Sequence, residues 1–112
     1  MKDSKPKVDH IYVVRVTDNE NLRGLEQVGW YDNEEVAIDS VKNNVCDIWE
    51  TCYNYAVIEK VQQGMFPTCV KIWVFKYKIL DEKHPLDGIY ELIKETDDLM
   101  EINKTISCVF VG

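Results

Sequence analysis

Between Asn43 and Tyr55 the chain reads N-N-V-C-D-I-W-E-T-C-Y-N-Y, its richest polar cluster. Asp47 and Glu50 stand three residues apart, so on a helical turn their carboxylates share a face. Such a pair can move a proton, hold a divalent cation or grip a cationic partner. Trp49 and Tyr53 lie beside it, and aromatic faces next to carboxylates suit an arginine, an amine or a cation. A solvated helix face carries acid pairs of the same kind, so both readings stay open at this point. If the chain has one local binding site, the residues expected to form it are Asp47, Glu50, Trp49 and Tyr53, with no catalytic residue among them. Cys46 and Cys52 flank the pair at a spacing of six, which is neither a metal-ligand pair nor a redox motif.

Other chemistry is sparse. There is no glycine-rich phosphate loop, no G-x-S-x-G, no H-E-x-x-H and no calcium loop. His10 opens a strand-like run and His84 sits beside Pro85, far apart in sequence, so a nucleophile–base pair is hard to assemble and an enzyme is the least favoured class. The cysteines are Cys46, Cys52, Cys69 and Cys108, without a C-x-x-C. They are expected as reduced, mostly buried thiols, with no structural metal and no cofactor. Two oddities remain. Three tryptophans and six tyrosines exceed what one small core needs, which points to a recognition surface or to tyrosine hydroxyls at the rim of the core. Glu59 interrupts an apolar strand on the face of Val57 and Val61, and a place at the sheet edge would explain it.

The totals narrow the class. With 112 residues, 46% of them hydrophobic and 29% charged, the chain fits one globular domain rather than a disordered segment. Its net charge of −7 repels phosphate backbones and anionic lipid, so neither nucleic acid nor membrane is an expected partner. The polar start, with Lys2, Lys5 and Lys7 around Pro6, reads as a solvated arm over residues 1–8, followed by one domain over 9–112. Ile11–Val16 is too short for the core of a signal peptide, and no run approaches a membrane span, so the expected location is cytoplasmic.

The elements that must position these residues follow from periodicity. His10–Thr17 is a strand with both faces apolar, hence interior to a sheet. Leu25–Tyr31 follows as a second strand, with Val28 and Trp30 on one face and Gly29 marking a bulge or a close backbone approach. Asp32 is placed to cap a helix, Glu35 to complete a capping box, and Tyr31 with Val36 to close a hydrophobic staple. Ile38, Val41, Val45, Ile48 and Cys52 then recur as one helical stripe, while Asn43–Asn44 weakens it in the middle. The helix is therefore expected over Asn33–Asn43, with a bend or short turn through Glu50. Strands at Tyr53–Val61, Val70–Leu80 and Ile89–Lys94 come next. A short helix capped by Thr96 runs to Ile102, and Ile106–Val111 closes the sheet. The order β-β-α-β-β-β-α-β with short connections implies an α+β fold, a mainly antiparallel sheet with its helices on one side.

The segment Gly29–Pro67 also carries G-W-Y at Gly29–Tyr31, E-E at Glu34–Glu35, N-N-x-C-D-I-W-E at Asn43–Glu50, Y-A-V-I-E at Tyr55–Glu59 and G-M-F-P at Gly64–Pro67. In this third of the chain it resembles an uncharacterised group of small proteins of bacteria and their phages. The resemblance implies no activity. The expected function is non-catalytic recognition of a protein partner or of a second copy as a homodimer. The alternative is binding of a small cationic or metal-bearing ligand at Asp47 and Glu50. A flat aromatic patch favours the first, and a concave pocket with convergent polar groups the second.

Overall fold

A computed structural model describes residues 10–44, 53–62, 68–85 and 87–106. The elements in chain order are β1 (His10–Thr17), β2 (Glu26–Tyr31), α1 (Glu34–Lys42), β3 (Tyr55–Gln62), β4 (Cys69–Lys78), β5 (Ile89–Thr96) and α2 (Leu99–Thr105). The five strands form one sheet in the order β2-β1-β3-β4-β5, and every neighbouring pair is antiparallel. This is the α+β class that the periodicity implies. The expected closing strand at Ile106–Val111 falls, beyond Ile106, outside the described residues.

The helices do not share one side of the sheet, which corrects the expectation. Ala37 and Val41 of α1 pack on the face of Tyr12, Val14, Ala56, Ile58, Trp73 and Phe75. Ile102 and Ile106 pack on the opposite face with Val57, Ile72 and Val74. The reason lies in the strands themselves. β3 and β4 are apolar on alternate residues of both faces, and a strand buried on both sides needs cover on both sides. Leu22 adds to the second layer from the loop after β1, and its side chain is buried although its backbone is left-handed at φ 56°. That conformation costs a side chain about 1–2 kcal/mol, which burying a leucine, worth roughly 1.5–3 kcal/mol, offsets.

Two caps differ from the expected ones. Asn33, not Asp32, caps α1, and its side-chain oxygen accepts the Val36 N–H at 3.1 Å. This shift of one residue removes the capping box with Glu35 and the staple from Tyr31, since the buried face becomes Ala37 and Val41 with Ile38 beside them, while Val36 is exposed. Asp98, not Thr96, caps α2, accepting the Met100 N–H at 2.9 Å, while the Thr96 hydroxyl oxygen accepts the Asp98 N–H. In both cases the residue nearest the helix wins, because its side-chain oxygen reaches the first unsatisfied N–H groups directly. Asn43 ends α1, and Asn44 takes the left-handed conformation at φ 51°. The remainder of the expected stripe, Val45, Ile48 and Cys52, lies outside the described residues.

Candidate recognition surface

β2 is the first strand of the sheet, paired only with β1 among the described strands. Its register with β1 slips between Val14 and Arg15: Gly29 faces Val14 and Gln27 faces Arg15, leaving Val28 as the extra residue. The bulge anticipated at Gly29 is thus one residue earlier. No close backbone approach occurs at Gly29, because a β-carbon there would meet nothing within 4 Å. A bulge re-aims the side chain it carries. Val28 is 54% exposed and Trp30, opposite Val13, is 59% exposed. Large apolar groups at such exposure, on a strand that pairs on one side only among the described strands, leave apolar area open to a partner.

The other edge is built differently. β5 carries Glu91, Lys94 and Glu95, tied by ion pairs Lys78–Glu91 at 3.2 Å, Lys94–Glu101 at 2.8 Å and Lys71–Glu95 at 2.8 Å. Charges along an edge discourage strand addition. β2 has a single charged residue, Glu26, and that carboxylate is occupied.

Two links hold β2 in place. The Tyr53 hydroxyl donates to Glu26 Oε2 at 2.7 Å, and this bond is the main cause of the raised pKa of the Tyr53 phenol. Tyr53 is itself fixed, since the buried Tyr90 hydroxyl donates to its carbonyl oxygen at 2.7 Å. The second link is Arg15, which donates from one guanidinium nitrogen to Glu59 Oε2 and from the other to the Leu25 carbonyl, both at 3.0 Å. Leu25 immediately precedes β2, so the guanidinium joins the edge strand to the middle of the sheet.

Glu59 is therefore not at an edge, as its charge alone suggests, but on the central strand β3, fully buried between Val13 and Ile72. Its Oε1 has no hydrogen-bond partner among the described residues. Burial pushes the carboxyl above its usual range, and the bond and charge of Arg15 pull it back only in part. An arginine directly on the neighbouring strand is the signal that sequence reasoning missed: Arg15 sits on the same face of β1 as Val13, diagonally across from Glu59.

Of the residues expected to form a site, Asp47, Trp49 and Glu50 lie outside the described residues. Tyr53 is half-buried, with its ring against the core layer of α1 and its hydroxyl on Glu26. It works there as a strut for β2. Among the described residues no three of His, Cys, Asp and Glu group closely enough to hold a metal ion. Cys69 is buried, its thiol 3.5 Å from the Lys71 carbonyl oxygen, and the other three cysteines lie outside the described residues. No helix among the described residues is long and apolar enough to cross a membrane. Comparison with protein-family models, with curated proteins and with solved structures finds no match.

Proposed function

We propose that the protein is a non-catalytic recognition module that takes a polypeptide strand onto β2, and that a second copy of the chain is the occupant. The observation that carries this reading is the pair Val28 and Trp30, both more than half exposed on an edge strand that holds one charge. Antiparallel self-pairing centred on Val28 would set Val28 opposite its own copy, Gln27 opposite Gly29 and Glu26 opposite Trp30. No two carboxylates then oppose each other directly, which matters for a chain of net charge −7. Such a contact is isologous and closes at a dimer.

Sedimentation velocity across a wide concentration range tests it. The wild-type chain is expected to pass from monomer to dimer, and Val28→Lys/Trp30→Ser to stay monomeric with an unchanged denaturation midpoint. Monomer mass at every concentration would remove self-pairing.

A further inference from the structure

A different part of the molecule carries a site of another kind. The loop after β1 and the C-terminal end of α2 enclose a cleft of about 350 Å³. Leu22 and Ile106, both buried, contribute to its lining. Its walls are polar: Asn21 and Arg23 from the loop, and Asn103, Lys104 and Thr105 from the helix. Small-molecule sites start at roughly 300 Å³, so the space suits a compact ligand.

Three features separate this cleft from an ordinary surface hollow. The loop wall is held in place. The Thr17 hydroxyl donates to the Arg23 carbonyl at 2.6 Å and accepts the Asn19 N–H at 3.1 Å, while Asn19 in turn accepts the Asn21 N–H at 2.8 Å. The left-handed backbone at Leu22 drives its side chain into the core and leaves Asn21 and Arg23 on either side of it. Secondly, the cations are unspent. Arg23 and Lys104 form no ion pair among the described residues, as is also true of Lys42, Lys60, Lys76 and Lys83, but of these cations Arg23 and Lys104 alone line the same cleft. Thirdly, the Thr105 Oγ1 is buried without a hydrogen-bond partner among the described residues. A buried hydroxyl left unmatched is costly and calls for a partner.

We infer that this cleft binds a small oxyanion, the carboxylate or phosphate group of a compact polar molecule. Arg23 and Lys104 supply charge, with a guanidinium able to take two oxygens at once. The two carboxamides, Asn21 and Asn103, supply further donors. The inference is independent of strand pairing at β2.

The test is an amide-resolved NMR titration of the intact chain at low ionic strength, with inorganic phosphate in one arm and succinate in the other. Saturable shifts at Asn21, Arg23 and Asn103–Thr105 are expected in at least one arm, and the arm that saturates at lower concentration identifies the oxyanion. Arg23→Gln/Lys104→Gln should weaken that binding by about tenfold or more. Lys42→Gln/Lys83→Gln, which removes the same charge from exposed positions elsewhere, should leave it unchanged. No saturable shift in either arm would overturn the inference. So would equal weakening by both double variants, which would mark general charge attraction.

Discussion

Arg15 donates to Glu59 across the β1–β3 pair at 3.0 Å, and the same guanidinium holds the Leu25 carbonyl just ahead of β2. A buried carboxylate in the centre of the sheet thereby fixes the strand at its margin. Removing one partner of a buried ion pair typically costs 3–5 kcal/mol, because the other is left uncompensated. Arg15→Met is expected to cost about 3 kcal/mol at neutral pH. The folded Glu59 carboxyl titrates above its ordinary value of 4.5, so the folded state holds that proton more tightly than the unfolded chain. Its contribution is complete below the ordinary value and is lost as pH rises through the raised one. Without the guanidinium the carboxyl titrates higher still, so the deficit of Arg15→Met should shrink as pH falls. Urea midpoints of both proteins across the acid range check this, and a deficit constant with pH would contradict it.

The caps give a sharp pair of expectations. Asn33→Ala should cost about 1 kcal/mol, the usual value of a helix N-cap. Asp32→Ala, one residue away and exposed, should stay within about 0.5 kcal/mol of wild type. Denaturation midpoints of the two variants decide between the residues, and the reverse order would restore Asp32 as the cap.

Gly88 stands where no side chain fits. Its N–H donates to the Tyr77 hydroxyl at 2.8 Å, which itself donates to the Pro85 carbonyl at 2.6 Å. A β-carbon there would collide with the Lys78 carbonyl oxygen and the Tyr77 ring. Gly88→Ala should therefore destabilise by about 1–3 kcal/mol, as overpacking does. Gly29→Ala meets open space and should be neutral or slightly stabilising. Thermal midpoints of the two variants that moved together would contradict this contrast.

The tyrosine strut can be taken apart one hydroxyl at a time. Tyr90 is buried and its hydroxyl holds the Tyr53 carbonyl, so Tyr90→Phe should cost about 1 kcal/mol. The Tyr53–Glu26 bond is solvent-exposed, and Tyr53→Phe should change global stability by less than about 0.5 kcal/mol. Equal losses in chemical denaturation would show that the two bonds are not nested in this way.

Much of the fold was legible because residue patterns repeat along it. β1, apolar on both faces, is interior as its pattern requires, and the left-handed Asn44 follows Asn43 at the end of α1 as the asparagine pair suggests. What sequence could not supply was long-range geometry. The sides taken by the helices depend on which strand faces remain uncovered, and Glu59 could be placed at the centre only once β3 was seen between β1 and β4. The candidate surface was half legible. Val28 and Trp30 were seen to share β2, but their exposure comes from the bulge and from the position of the strand. Of the aromatic–acid turn, only Tyr53 falls among the described residues, and its hydroxyl is bonded to Glu26 of β2.

Strand pairing at β2 is tested most directly by amide hydrogen exchange followed against protein concentration. Pairing with a second copy protects the outward N–H groups within residues 26–30, whereas the charged edge at Ile89–Thr96 stays as it is. The account predicts that exchange of the outward N–H groups within residues 26–30 slows as concentration rises, that β5 is unaffected, and that Val28→Lys/Trp30→Ser abolishes the slowing. Exchange rates in β2 that are the same at every concentration would contradict it.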